Sequence, residues 1–141
     1  MLPAAQHIQS SLSKCASAGW DTVSLTTKVV SIWRDIDTSL APVIGHRGVA
    51  ALFGRSFHLV RADYPWLTAP HESTTDRIDF ASLQSALSQL TSANVVTISG
   101  ALLDKFAQLL TNLIGVSLTE RLLRPVVDVH SAGAAAQETS P

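Results

Sequence analysis

A chain of 141 residues is the size of one domain and is long enough to bury a core without disulfides or metal ions. With 46% apolar and 15% charged residues it is richer in apolar side chains and poorer in charge than an average globular protein, a balance that points to an unusually buried domain or to an apolar face reserved for a partner. Ten basic residues against eleven acidic ones, a formal net charge of −1, exclude the excess of positive charge that marks a nucleic-acid binder.

The single cysteine, Cys15, excludes an internal disulfide and the zinc sites built from several cysteines, and it fits a reducing compartment. The N-terminal residues show neither a positive start nor a continuous apolar run, so no secretory signal is expected. No stretch approaches the roughly 18 unbroken apolar residues of a membrane span. The expected setting is cytoplasmic, without membrane or nucleic-acid partners.

Residues 1–20 are rich in Ser and Ala, with Ile8, Leu12 and Cys15 at helical spacing before a break at Gly19. They are expected as a short helix lying on the body or as a frayed arm. From Ser24 the pattern strengthens: Leu25, Val29, Ile32, Ile36, Leu40 and Val43 advance by three or four and make one helical stripe. Lys28, Arg34, Asp35 and Asp37 fall mostly off that stripe, and Pro42 and Gly45 end the helix. A second helix is expected from about His46 to Ala62, with Val49, Leu52, Phe53, Phe57 and Val60 on its apolar face. Pro65 stops it by disfavouring helical geometry in the residue before. The segment from Tyr64 to Arg77 reads as a loop carrying an aromatic anchor, Tyr64-Pro65-Trp66-Leu67.

Asp79 is placed to cap a third helix with Phe80, Leu83, Leu87 and Leu90 buried. Val95, Ile98, Leu102, Phe106, Leu109 and Leu113 then form the clearest stripe of the chain, marking a central fourth helix that stops at Gly115. Substituting Asp at Leu109 is expected to abolish folding or assembly. Ser117-Leu118-Thr119-Glu120 has the form of a capping box opening a short fifth helix, weakened by Pro125 within two turns. Residues 129–141 lack an apolar anchor and are expected to be a disordered tail. No run reads as a strand. The predicted fold is all-α: a bundle of four principal antiparallel helices in residues 21–128, with a short N-terminal helix or arm over residues 1–20 and a short C-terminal helix. The Leu-rich stripes of the first and fourth principal helices favour near-antiparallel packing.

The motifs of chemistry are missing. No two of His7, His46, His58, His71 and His130 stand three or four apart, and no Glu-x-x-His pair is present, so no metal site is expected. Gly45-His46-Arg47-Gly48 is a glycine-flanked helix start without the lysine and Ser/Thr of a nucleotide loop. No Gly-x-Ser-x-Gly elbow occurs, and Cys15 lies in a low-complexity stretch. Neither catalytic residues nor a cofactor are therefore assigned. The most notable polar pattern is a basic strip on the second helix, Arg47, Arg55, His58 and Arg61, edged by His46 and opposite the apolar stripe. It reads as a solvated helix face or as a docking surface for an acidic partner or anionic ligand. Trp33, Phe53, Phe57 and Phe106 are the candidate lining of a pocket between helices.

A helical bundle in which His58 is followed by Arg61 three residues on resembles the histidine phosphotransfer domains, which place a lysine and a glycine three and four residues after an exposed histidine. The resemblance implies a phosphoacceptor role for His58, or less favourably for His46, although Ala62 stands where that pattern has glycine. A likeness to globins extends only to Tyr64-Pro65-Trp66 and fails on the absence of any histidine between Glu72 and Val129. The expected function is a non-enzymatic helical protein-interaction module of a cytoplasmic signalling or regulatory system, whose partner is itself, as a homodimer, or an acidic-surfaced protein. The alternatives are phosphotransfer through His58 and a small-ligand sensor.

Overall fold

The computed structural model describes residues 3–67 and 78–139, with residues 130–139 by their backbone alone. The described residues form five helices, α1 (Pro3–Ser17), α2 (Thr22–Asp63), α3 (Phe80–Ser88), α4 (Ser92–Ile114) and α5 (Val116–Thr139), and no strand. None of these helices is long and apolar enough to cross a membrane.

The long α2 is two limbs joined at Gly45. There the backbone leaves helical geometry at φ 78° and ψ 157°, a region that is essentially glycine's alone. The limbs fold back on one another: the Trp33 ring meets Phe53 edge-to-face at 4.9 Å, and Asp37 meets His46 at 2.9 Å. The expected stop at Gly45 is therefore a reversal of direction. The first limb opens on Asp21, whose carboxylate accepts the Ser24 N–H at 2.8 Å. That bond favours the ionised form and holds the Asp21 carboxyl below its ordinary value of 3.8. The second limb ends at Tyr64, whose N–H donates to the Val60 carbonyl just before Pro65.

The first limb sits deepest. Leu25, Val29, Ile32, Trp33, Ile36 and Leu40 are buried along it, and Trp33 packs edge-to-face against Phe106 of α4 at 5.0 Å. The Thr22 hydroxyl near its start donates to the Leu90 carbonyl just before α4. Both contacts advance together along the two helices, so the first limb and α4 run in the same direction. This corrects the expected antiparallel pairing. A helical stripe fixes which face is buried, whereas direction is set by how many reversals separate the two segments.

Helix α3 follows its sequence signal, with the Asp79 side chain accepting from the Ser82 N–H at 3.0 Å. The Arg34 guanidinium of the first limb lies over the Phe80 ring at 5.3 Å. In α4, Val95, Ile98, Leu102 and Phe106 are buried as expected, and Gly115 ends the helix at φ 92°. Near the C-terminal end the buried side moves to Leu103, Ala107 and Leu110, leaving Leu109 half-buried and Leu113 exposed. Val43, at the end of the first limb, is exposed as well. Both stripes thus extend past the layer that covers them.

Helix α1 is an integral part of the packing. Ala4, Ala5, Ile8, Leu12 and Cys15 are buried, and the helix packs on α4 and α5. Its Ala4 N–H donates to the Glu120 carboxylate at 3.1 Å. Gly100 of α4 leaves room for the Gln9 side chain of α1, whose amide a Cβ there would overlap. The predicted capping box does not form: α5 starts at Val116, directly after Gly115, and Glu120 is spent on α1. The backbone of α5 continues through Pro125 to Thr139, well beyond the two turns expected. Leu123 and Val126 are its deeply buried apolar residues within the described side chains, and the Ser39 hydroxyl of α2 donates to the Leu122 carbonyl.

Candidate docking face and a histidine–carboxylate pair on α2

The second limb presents two opposite faces. Val49, Phe53, Ser56, Phe57 and Val60 point inward and are buried. On the other side Arg47, Ala51, Gly54, Arg55, His58, Arg61 and Ala62 are all exposed. The 3.6-residue period places these side by side, because residues three, four and seven apart share a helical face. The basic strip is thus one continuous surface, with Ala51, Gly54 and Ala62 as low ground between the cations. A Cβ at Gly54 would meet nothing within 4 Å, so a partner backbone has room to approach there. Arg61 is partly committed, its Nε donating to the Leu67 carbonyl at 3.2 Å.

That bond ties the strip to the segment that follows. Leu67 is buried, whereas Trp66 is 52% exposed and meets Tyr64 edge-to-face at 5.8 Å. The aromatic anchor expected at Tyr64-Pro65-Trp66-Leu67 is therefore provided by Leu67 and half-buried Tyr64, and Trp66 faces outward. The remainder of that expected loop, with His71, lies outside the described residues, and the His130 side chain does too.

The four aromatics considered as a pocket lining do come together. Trp33 stands between Phe53 and Phe106 with edge-to-face geometry on both sides, and Phe57 stacks at a tilt on Phe53 with centroids 6.2 Å apart. All four are buried within one apolar cluster. Edge-to-face contact sets the positive edge of one ring against the negative face of the next. Two shallow surface hollows lie elsewhere, one lined by Ser117, Glu120, Arg121, Arg124 and Pro125 on α5, the other by Gly19, Trp20, Asp21 and Ser24. No residue of the strip lines either hollow.

A polar pair that the periodicity did not single out stands at the bend. Asp37 is 5% exposed, on the inner side of the first limb, where an apolar residue would serve packing alone. Burying a carboxylate is costly unless it is paired. Its partner is His46, the first residue of the second limb, whose Nδ1 lies 2.9 Å and 3.0 Å from the two carboxylate oxygens. The His46 side chain itself is 37% exposed. The helical spacing places Asp37 mostly off the apolar stripe. The contact is legible only once the chain is known to turn back at Gly45, since nine residues of straight helix would carry the two groups more than 13 Å apart, by roughly 1.5 Å per residue. Among the described residues, none hydrogen-bonds His58, and no group of three metal-ligating side chains converges. No protein-family model, no curated protein and no solved structure matches the chain.

Proposed function

We propose that the chain is a non-enzymatic helical interaction module that docks an acidic-surfaced protein along the open face of the second limb of α2. In this reading α5 takes the place expected of α3, so that the two limbs of α2, α4 and α5 are the four principal helices of a bundle, and its regulatory role is to bring that partner to a fixed scaffold. The observation that carries it is the arrangement of Arg47, Arg55 and His58 on one exposed face, with the small residues Ala51, Gly54 and Ala62 between them and exposed Trp66 at the limb's end. Clustered cations steer an acidic partner and fix its register, small residues admit close approach, and an exposed tryptophan supplies the apolar anchor common at interfaces. The same charge disfavours a second copy on this face, because a two-fold contact would set like charges against each other.

The test is a titration of the isotope-labelled chain with an acidic amphipathic helical peptide, followed by amide chemical shifts. The expected result is a set of shifts confined to residues 47–66 that fades as salt is raised. Shifts centred on another helix, or none at millimolar peptide, would overturn the reading.

A further inference from the structure

We propose that His46 is a phosphoryl-accepting site, with Nε2 as the nucleophile and Asp37 as the residue that positions it. This inference does not depend on the docking reading. It starts from the pair at the bend, where a buried carboxylate holds Nδ1 of a histidine that is itself partly open to solvent. A carboxylate accepts hydrogen bonds, so Nδ1 carries a proton, and in the neutral ring the lone pair is then on Nε2. The same contact fixes the ring plane, which leaves a histidine oriented as in sites where imidazole acts as a nucleophile.

The surroundings select the electrophile. His46 is the first residue after the Gly45 break, at the positive end of the second limb, with exposed Arg47 next to it. An anionic transferring group is favoured at such a place over a neutral acyl group or a cation. His58 lacks these features: it is exposed at mid-helix, and no described residue holds either ring nitrogen. The structure therefore points to His46, where the spacing of the sequence favours His58.

The step balances with an acyl phosphate as donor. The Nε2 lone pair forms the N–P bond while the P–O bond to the acyl oxygen breaks, and its electron pair leaves on the released carboxylate. The imidazole becomes an N-phosphorylated imidazolium. Its Nδ1–H stays on the Asp37 carboxylate, whose charge offsets the one that develops on the ring. No proton needs to leave, and the reverse step returns the phosphoryl group to a carboxylate.

The experiment exposes the unaltered chain to acetyl phosphate, follows it by phosphorus NMR, and maps the modified residue by fragmentation mass spectrometry. The expected result is an acid-labile phosphoryl group on His46, absent in His46→Gln and retained in His58→Gln. Asp37→Asn is expected to slow labelling roughly 10–100-fold, the scale seen when a carboxylate that orients a metal-bound histidine is lost. Nitrogen NMR of the ring should show the Nδ1–H tautomer in the unaltered chain and its loss in Asp37→Asn. Label on His58 or another residue, or no label on the unaltered chain, would overturn the proposal whether or not Asp37→Asn folds. In that case the pair is a structural clasp between the limbs.

Discussion

The two limbs of α2 are cut from one stretch of chain and have similar apolar periodicity, yet they do different jobs. The first limb is flanked by α3, α4 and α5 and buries residues around much of its circumference, from Leu25 and Thr26 through Trp33 to Asp37 and Leu40. The second buries a single stripe of Val49, Phe53, Ser56, Phe57 and Val60 and leaves the opposite half open. An apolar stripe states how a helix attaches to a body. What the helix is for is carried by the face left over, and on the second limb that face is basic and low in relief.

The comparison is sharpened most by the first limb's tryptophan. Trp33→Ala, which empties the space between Phe53 and Phe106, is expected to cost about 3–5 kcal/mol in chemical denaturation. A loss below about 1 kcal/mol would mean that the first limb is not the centre of the core. Gly45→Ala tests the joint: at φ 78° and ψ 157° a side chain is strained, and the expected cost is about 1–3 kcal/mol. Equal stability would show that the bend relaxes into some other geometry.

A smaller effect is expected at the start of the first limb. Asp21 has its pKa lowered in the folded chain, so its ionised form favours folding. That contribution is present above the unfolded value of 3.8 and is lost as pH falls through the lower folded value. Asp21→Asn should flatten this part of the acid limb of the stability curve, and an unchanged acid limb would remove the cap from the account. The smallest effect on stability belongs to the second limb's open face. The pair Arg55→Glu with His58→Glu should shift stability by no more than about 0.5 kcal/mol while abolishing binding of the acidic peptide. Retained binding would reduce the strip to an ordinary solvated face.

Much of this arrangement is written in the sequence where a single helix is concerned. The stripes at Leu25–Leu40, Val49–Val60 and Val95–Phe106, the Asp79 cap and the glycine stops at Gly45 and Gly115 all follow from local rules. What escaped was relational. The direction of α4 against the first limb depends on the path between them, which leaves no trace in either stripe. The depth of α1 was masked by its composition, since Ala4 and Ala5 bury completely while contributing little to an apolar pattern. Glu120 satisfied the spacing of a capping box but found the Ala4 N–H from another helix. Of the candidate site, the exposed strip was readable from periodicity, whereas the Asp37–His46 pair required the reversal at Gly45 to bring its halves together.

The joint at Gly45 is a single residue, and this leaves the chain no slack. A connecting loop of several residues absorbs an insertion by bulging outward, so the helices on either side keep their orientation. Here one added residue would turn the second limb about its own axis by roughly 100°, the angle of one helical step. Phe53 would swing toward water and Arg55 toward the core, and His46 would leave Asp37. The bend thus acts as an indexing pin: it sets which half of the second limb faces outward, and length changes at this joint are expected to be poorly tolerated.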